Sequence, residues 1–233
     1  MARQLKGLLY FFVTDMRYSF MIFWSILLGV LVVSLCFAYF LLSVEEGSFY
    51  FSLSFPIYIY SAIYGFKTVK EAIPFSIKIG ATRKNLFLGI GLLFLGLAIV
   101  QSLIGNTLHS LTLSFTEATD ITTFNFLHLS SFLEDTWLNR VAIDAAITFV
   151  LLVLLFFFGL LFYQTGLAGG GIVAGVIVLA LLLGIAKGWV FDFLSNLFTD
   201  INITYFLQLF VIGLVLYAFT FLFVRKITIV KAK

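Results

Sequence analysis

Four polar side chains, Gln101, Asn106, Asp144 and Gln208, stand inside or beside long apolar runs of this 233-residue chain. Polar groups in such surroundings are costly, and where they converge they mark binding or catalytic sites. Asp144 follows Arg140 by four residues, the spacing of a local ion pair on one helical face. The two histidines, His109 and His128, fall in a Ser- and Thr-rich stretch away from ligand spacing, and read as polar surface residues. No H-E-x-x-H or G-x-S-x-G occurs, which argues against a metalloprotease or a serine hydrolase. No G-x-x-x-x-G-K-[ST] occurs either, so the chain holds no P-loop for ATP. No cofactor, metal or catalytic residue is expected. The single cysteine, Cys36, sits within an apolar run and reads as a small packing residue.

The elements that carry these residues are set by composition. The chain is 62% hydrophobic and 11% charged, where a soluble domain averages about 25% charged. One core of this size cannot hide so much apolar surface, so lipid is the natural solvent. A helix needs about 20 apolar residues to cross the hydrocarbon. Six segments qualify: residues 19–42, 49–66, 86–104, 141–163, 169–185 and 203–224. The runs are continuous and not alternating, which excludes a barrel. The expected fold is an all-α membrane protein of six transmembrane helices in one membrane domain spanning residues 1–233.

Charge fixes the expected orientation. With both termini inside, twelve of the fourteen Lys and Arg fall on the inner side, and only Arg140 and Lys187 fall outside. Most acids lie on the other face. This obeys the positive-inside rule, and an odd number of spans breaks it. Before the first span, Leu5, Leu8, Leu9, Phe12 and Met16 recur at helical spacing, predicting an amphipathic interfacial helix over residues 1–18. Residues 105–140 form the long external loop, with apolar spacing that suggests short interfacial helices. Trp189 to Ile201 repeats that pattern on a smaller scale. The turn Gln164–Gly171 joins spans four and five, and Gly171 and Gly175 form a G-x-x-x-G that permits close helix packing.

The inner segment 67–85 is longer than a plain turn requires. Pro74 and Gly80 are expected to break it. Between them Phe75, Ile77 and Ile79 are apolar, rimmed by Lys70, Lys78, Arg83 and Lys84. Thr82 is placed to cap the third span. Such a segment either docks a protein partner or anchors the chain at the headgroups.

Gly80 to Gly89 reads G-A-T-R-K-N-x-F-x-G, with Pro74-Phe75 three residues before Lys78-Ile79. This stretch resembles the first cytoplasmic loop of type-2 exporter permeases of the ATP-binding-cassette (ABC) class. The small permeases of Gram-positive bacteria are the most similar in architecture. Phe75, Gly80, Thr82, Arg83, Lys84, Phe87 and Gly89 carry the match. The resemblance implies a multi-pass subunit of the bacterial cell membrane. It also implies a coupling helix in the 67–85 loop, docking a separate ABC ATPase through Glu71, Ile73, Pro74, Phe75, Ser76, Ile77, Lys78, Gly80, Thr82, Arg83 and Lys84. It further implies a second permease copy, or a different permease, as partner, with lipid around it and no nucleic acid. The chain departs from the family between spans five and six, where the loop 187–202 is short. The alternative from another class is a non-transporting sensor, immunity or assembly factor that binds a cytoplasmic partner.

Overall fold

The structure, a computed structural model, describes residues 2–44, 47–192, 195, 201–225 and 227. Among the described residues it has five long helices. These are α1 (Ala2–Leu41), α2 (Ser54–Lys78), α3 (Arg83–Ala118), α4 (Trp137–Ala186) and α5 (Ile203–Val224). Two three-residue strands, β1 (Phe49–Phe51) and β2 (Phe124–Phe126), pair in parallel with Phe49 opposite Phe124. A 3-10 turn, Leu129–Phe132, follows β2.

No break separates an interfacial segment from the first span. α1 is one helix of 40 residues, about 60 Å long, roughly twice the hydrocarbon thickness. The apolar stripe predicted to lie on the membrane surface packs on α3 instead. Leu8 and Phe12 are fully buried, and Gly89 leaves the space that the Phe12 ring enters. Gln4 ties the same end down. Its Nε2 donates to the Gly80 carbonyl at 3.0 Å, and its Oε1 accepts from Asn85 Nδ2.

α2 also departs from the expected 49–66. It starts five residues later, because Phe49–Phe51 is extended in the strand pair. Pro56 falls in its first turn, where a missing N–H costs nothing. The helix then runs through Pro74 to Lys78, so Pro74 does not end it. One i→i−4 bond is lost there, and packing compensates: Val69, Ala72, Ile73 and Ser76 are all buried around it. The segment 67–85 is therefore about three further turns of α2, a tight reversal and the first residues of α3. Gly80 makes the reversal at φ 80°, a conformation that favours glycine. Thr82 caps α3 as predicted, accepting from Asn85 N–H at 3.3 Å. Thr82→Ala should lower stability by about 1 kcal/mol, read as a lower midpoint in thermal unfolding of the detergent-solubilised protein. An unchanged midpoint would remove the cap from the account.

α3 continues to Ala118, so the first third of the predicted external loop is helix. α4 carries both the fourth and fifth predicted spans, broken at Gly166, which has φ 71° and ψ −177°. That break lies inside the expected turn Gln164–Gly171. α5 coincides with the predicted span 203–224, and its Asn202 side chain caps it by accepting from Thr204 N–H. The residues Phe193, Leu194, Leu197 and Phe198 of the smaller interfacial pattern lie outside the described residues.

The main core gathers α1, α2, α3, α4 and α5 around Phe12, Ile73, Ile90, Phe94, Phe149 and Phe156. A second cluster, including Trp24, Leu31, Leu53, Ile57 and Phe124, packs α1 against the strand pair and the start of α2. The bundle thus has two distinct ends. The α2–α3 reversal marks one, and the strand pair marks the other.

Candidate functional site

At the strand end, three helices and a loop converge on one carboxylate. Asp144 of α4 is 2% exposed. Its Oδ2 accepts from Ser54 Oγ at 3.0 Å and from Asn106 Nδ2 at 2.8 Å. Its Oδ1 accepts from the Tyr58 hydroxyl and faces His128 Nε2 at 3.2 Å. The tautomer of His128 follows from its other nitrogen. Nδ1 accepts the Ser130 backbone N–H at 3.0 Å, so the ring is neutral and Nε2 carries the proton given to Asp144. Four neutral donors therefore fill the sites of a buried carboxylate, which is what a buried carboxylate requires.

The expected Arg140–Asp144 pair is not formed. Arg140 turns to Asp135, with Nε 3.4 Å from Oδ1, and its Nη2 donates to Ser110 Oγ at 3.3 Å. The physical reason is competition. Asp144 is already saturated from α2, α3 and the loop, whereas Asp135 is half open to solvent and free to take the guanidinium. Neither histidine is a surface residue. His109 and His128 are both buried, and His109 stacks on Phe126 at 4.0 Å.

Below this carboxylate, toward the middle of the bundle, lies a second polar layer. Ser61 Oγ donates to Gln101 Oε1 at 2.6 Å. Thr148, one turn beyond Asp144 on α4, is fully buried. Gln101 Nε2 and Thr148 Oγ1 have no hydrogen-bond partner. Of the polar candidates read from sequence, Gln101, Asn106 and Asp144 belong to this seam. Gln208 lies exposed on α5 and does not join it. Cys36 is exposed as well, and does not pack in the core. The residues missed were Ser54, Tyr58 and Ser61. Their i, i+4, i+7 spacing on α2 puts three hydroxyls on one helical face, a signal present in the sequence.

Ser130, His128 and Asp144 are ordered like a nucleophile, a base and its orienting acid. The hydroxyl Oγ lies 2.8 Å from His128 Nδ1. But Ser130 is fully buried and gives its proton to Asp135. A substrate has no route to that oxygen, so the arrangement holds the loop and does not perform acyl transfer. Among the described residues no group of His, Cys, Asp and Glu is arranged to hold a metal ion.

At the other end, the reversal sorts the predicted docking residues. Glu71, Phe75, Lys78, Gly80, Thr82 and Lys84 are exposed. Ile79 is too, at 57%. Ile73 and Ser76 point inward and are fully buried, so they present nothing to a partner. Pro74, Ile77 and Arg83 are half-buried. Ile77 packs on the core, and Arg83 Nη2 donates to the Ile227 carbonyl at 2.6 Å. Phe75 stacks on Phe11 of α1 at 4.1 Å. Gly171 and Gly175 have nothing among the described residues within 4 Å of where a Cβ would stand, so their G-x-x-x-G seats no neighbouring helix there.

These features define a helical membrane protein: α1, α3, α4 and α5 are each long and apolar enough to cross a bilayer. A buried polar seam occupies the strand end of its bundle. No protein-family model, no curated protein and no solved structure matches this chain.

Proposed function

We propose that the chain is the membrane-spanning permease subunit of an ABC exporter, driven by a separate ATPase that docks on the α2–α3 reversal. On this reading α2 and the two arms of α4 join α1, α3 and α5 as six spans of a bacterial cell-membrane protein. Both termini then lie on the basic, cytoplasmic side, in line with the charge distribution. A second permease, identical or different, completes the transporter.

The observation that carries the reading is the form of the reversal. It projects Phe75 and Ile79 beside Lys78 and Lys84, and it is braced from behind. Gln4 bonds Gly80 and Asn85, Phe11 stacks on Phe75, and Thr82 caps α3. Apolar knobs among cations suit a partner surface, and a braced turn transmits a push without absorbing it. α2 is the rod that receives it. One end of this 25-residue helix is the reversal, and the other carries Ser54 and Tyr58 onto Asp144. A displacement of the docked end reaches the polar seam through a single rigid element.

The test is co-purification of the chain with a candidate P-loop ATPase subunit co-expressed with it. Ile79→Asp alters only an exposed residue and should weaken capture at least tenfold, on the order of 1.4 kcal/mol. The double change Phe75→Asp, Ile79→Asp should abolish it. Undiminished capture of the double variant would sink the docking assignment.

A further inference from the structure

We infer that the strand end holds a binding site for a hydrophobic organic cation, with Asp144 as the charge that selects it. A cavity of about 360 Å³ opens there between the start of α2 and the loop after β2. Its walls are apolar and aromatic, with Phe55, Leu127, Leu129 and Phe132 around the ring of Tyr58. Its polar edge includes Ser54, Tyr58 and His128, three of the four groups that bond Asp144. The carboxylate thus stands one hydrogen bond behind the cavity wall.

The charge balance determines the ligand. Asp135 and Arg140 face each other, and His109 sits buried against Phe126 with no acid in contact. His128 is neutral by its bond from the Ser130 N–H. Tyr58 is a neutral donor to Asp144. Among the described residues no lysine or arginine forms an ion pair with Asp144, and His128 Nε2, at 3.2 Å, meets it as the N–H donor of a ring whose Nδ1 is already an acceptor. Its four donors satisfy its lone pairs but leave its charge uncancelled. A negative charge behind a low-dielectric wall projects its field into the cavity with little screening. Aromatic rings favour the same sign of ligand, since their faces attract cations. A small inorganic cation needs several oxygen ligands, which this apolar wall does not offer. A delocalised or alkylated ammonium or phosphonium group gives up little hydration on entry and fits both the walls and the field.

If the chain transports, this cation is the class of substrate it moves, and only that extension rests on the proposed function. The binding measurement uses the chain alone. Its failure leaves ATPase docking untouched, and failure of docking leaves it untouched.

The experiment is equilibrium binding to the full chain in phosphatidylcholine nanodiscs. The probes are tetraphenylphosphonium and the neutral triphenylphosphine oxide, with empty discs subtracted. Saturable binding of the cation is expected, at least tenfold tighter than the oxide. Asp144→Asn should remove that preference while leaving oxide binding in place. Phe55→Ala, a change at an exposed wall residue (62% exposed), should weaken both probes without disturbing the fold. Equal affinity of the wild type for the two probes would overturn the inference, whatever the fate of Asp144→Asn. So would a folded Asp144→Asn protein that keeps its preference, or a Phe55→Ala protein that binds both probes as the wild type does.

Discussion

Asp144→Ala should be among the most damaging single changes in this protein, costing about 3 kcal/mol or more. The substitution removes one acceptor group and strands Ser54, Tyr58, Asn106 and His128 together. Each buried donor left unpaired costs about 1–3 kcal/mol. The losses do not add fully, because the adjoining cavity admits water to some of the four. Asp144→Asn should cost less than Ala. Its amide keeps an acceptor oxygen but turns an NH₂ group toward two of the donors. Thr148→Val, one turn away, should act in the opposite sense. The Thr148 hydroxyl has no partner, so its removal should stabilise by up to about 1 kcal/mol. Unfolding in mixed micelles with increasing SDS, followed by the combined fluorescence of Trp24, Trp137 and Trp189, measures all three. An Asp144→Ala protein as stable as the wild type would show that the network is incidental.

What the sequence reveals of this arrangement depends on how local the deciding interactions are. α5 is legible to the residue because Asn202 caps an uninterrupted apolar run. The Thr82 cap and the Gly166 break are legible for the same reason: each is set by one residue and its neighbours. Pro74 is not, because its local penalty is overruled by the burial of Val69, Ile73 and Ser76 against other helices. The amphipathic start of α1 has the right periodicity but the wrong partner, since a protein face on α3 and a membrane surface demand the same stripe. The polar seam is the least legible part. Asp144 draws partners from 16, 38, 86 and 90 residues away, so its nearest charged neighbour in sequence, Arg140, was a misleading guide.

The glycine contacts illustrate the same limit and give the second large effect. The visible motif, Gly171 and Gly175, faces open space among the described residues, while two isolated glycines sit where α2 and α4 meet. A Cβ on Gly65 of α2 would stand 2.2 Å from the Leu152 backbone oxygen of α4. One on Gly159 of α4 would stand 2.9 Å from Val69 Cγ2 and 3.2 Å from the Phe66 carbonyl of α2. The two helices therefore meet backbone to backbone, each notched for the other. At Gly159 the side chain of Val69 can yield a little. At Gly65 the obstacle is main chain, which no rotamer change relieves, so the helices must separate. Gly65→Ala should then cost about 3 kcal/mol, the upper end of the range for overpacking, and Gly159→Ala about 1–2 kcal/mol. Gly171→Ala should leave the stability of the subunit within about 0.5 kcal/mol of the wild type, as surface changes do. The same SDS titration ranks them, and a Gly171→Ala protein less stable than Gly65→Ala would refute the packing. Because α2 joins the α2–α3 reversal to Ser54 and Tyr58, forcing it off α4 should also displace the two hydroxyls on Asp144. Gly65→Ala is thus expected to weaken tetraphenylphosphonium binding from within the bundle, although the glycine touches neither the cavity nor the carboxylate.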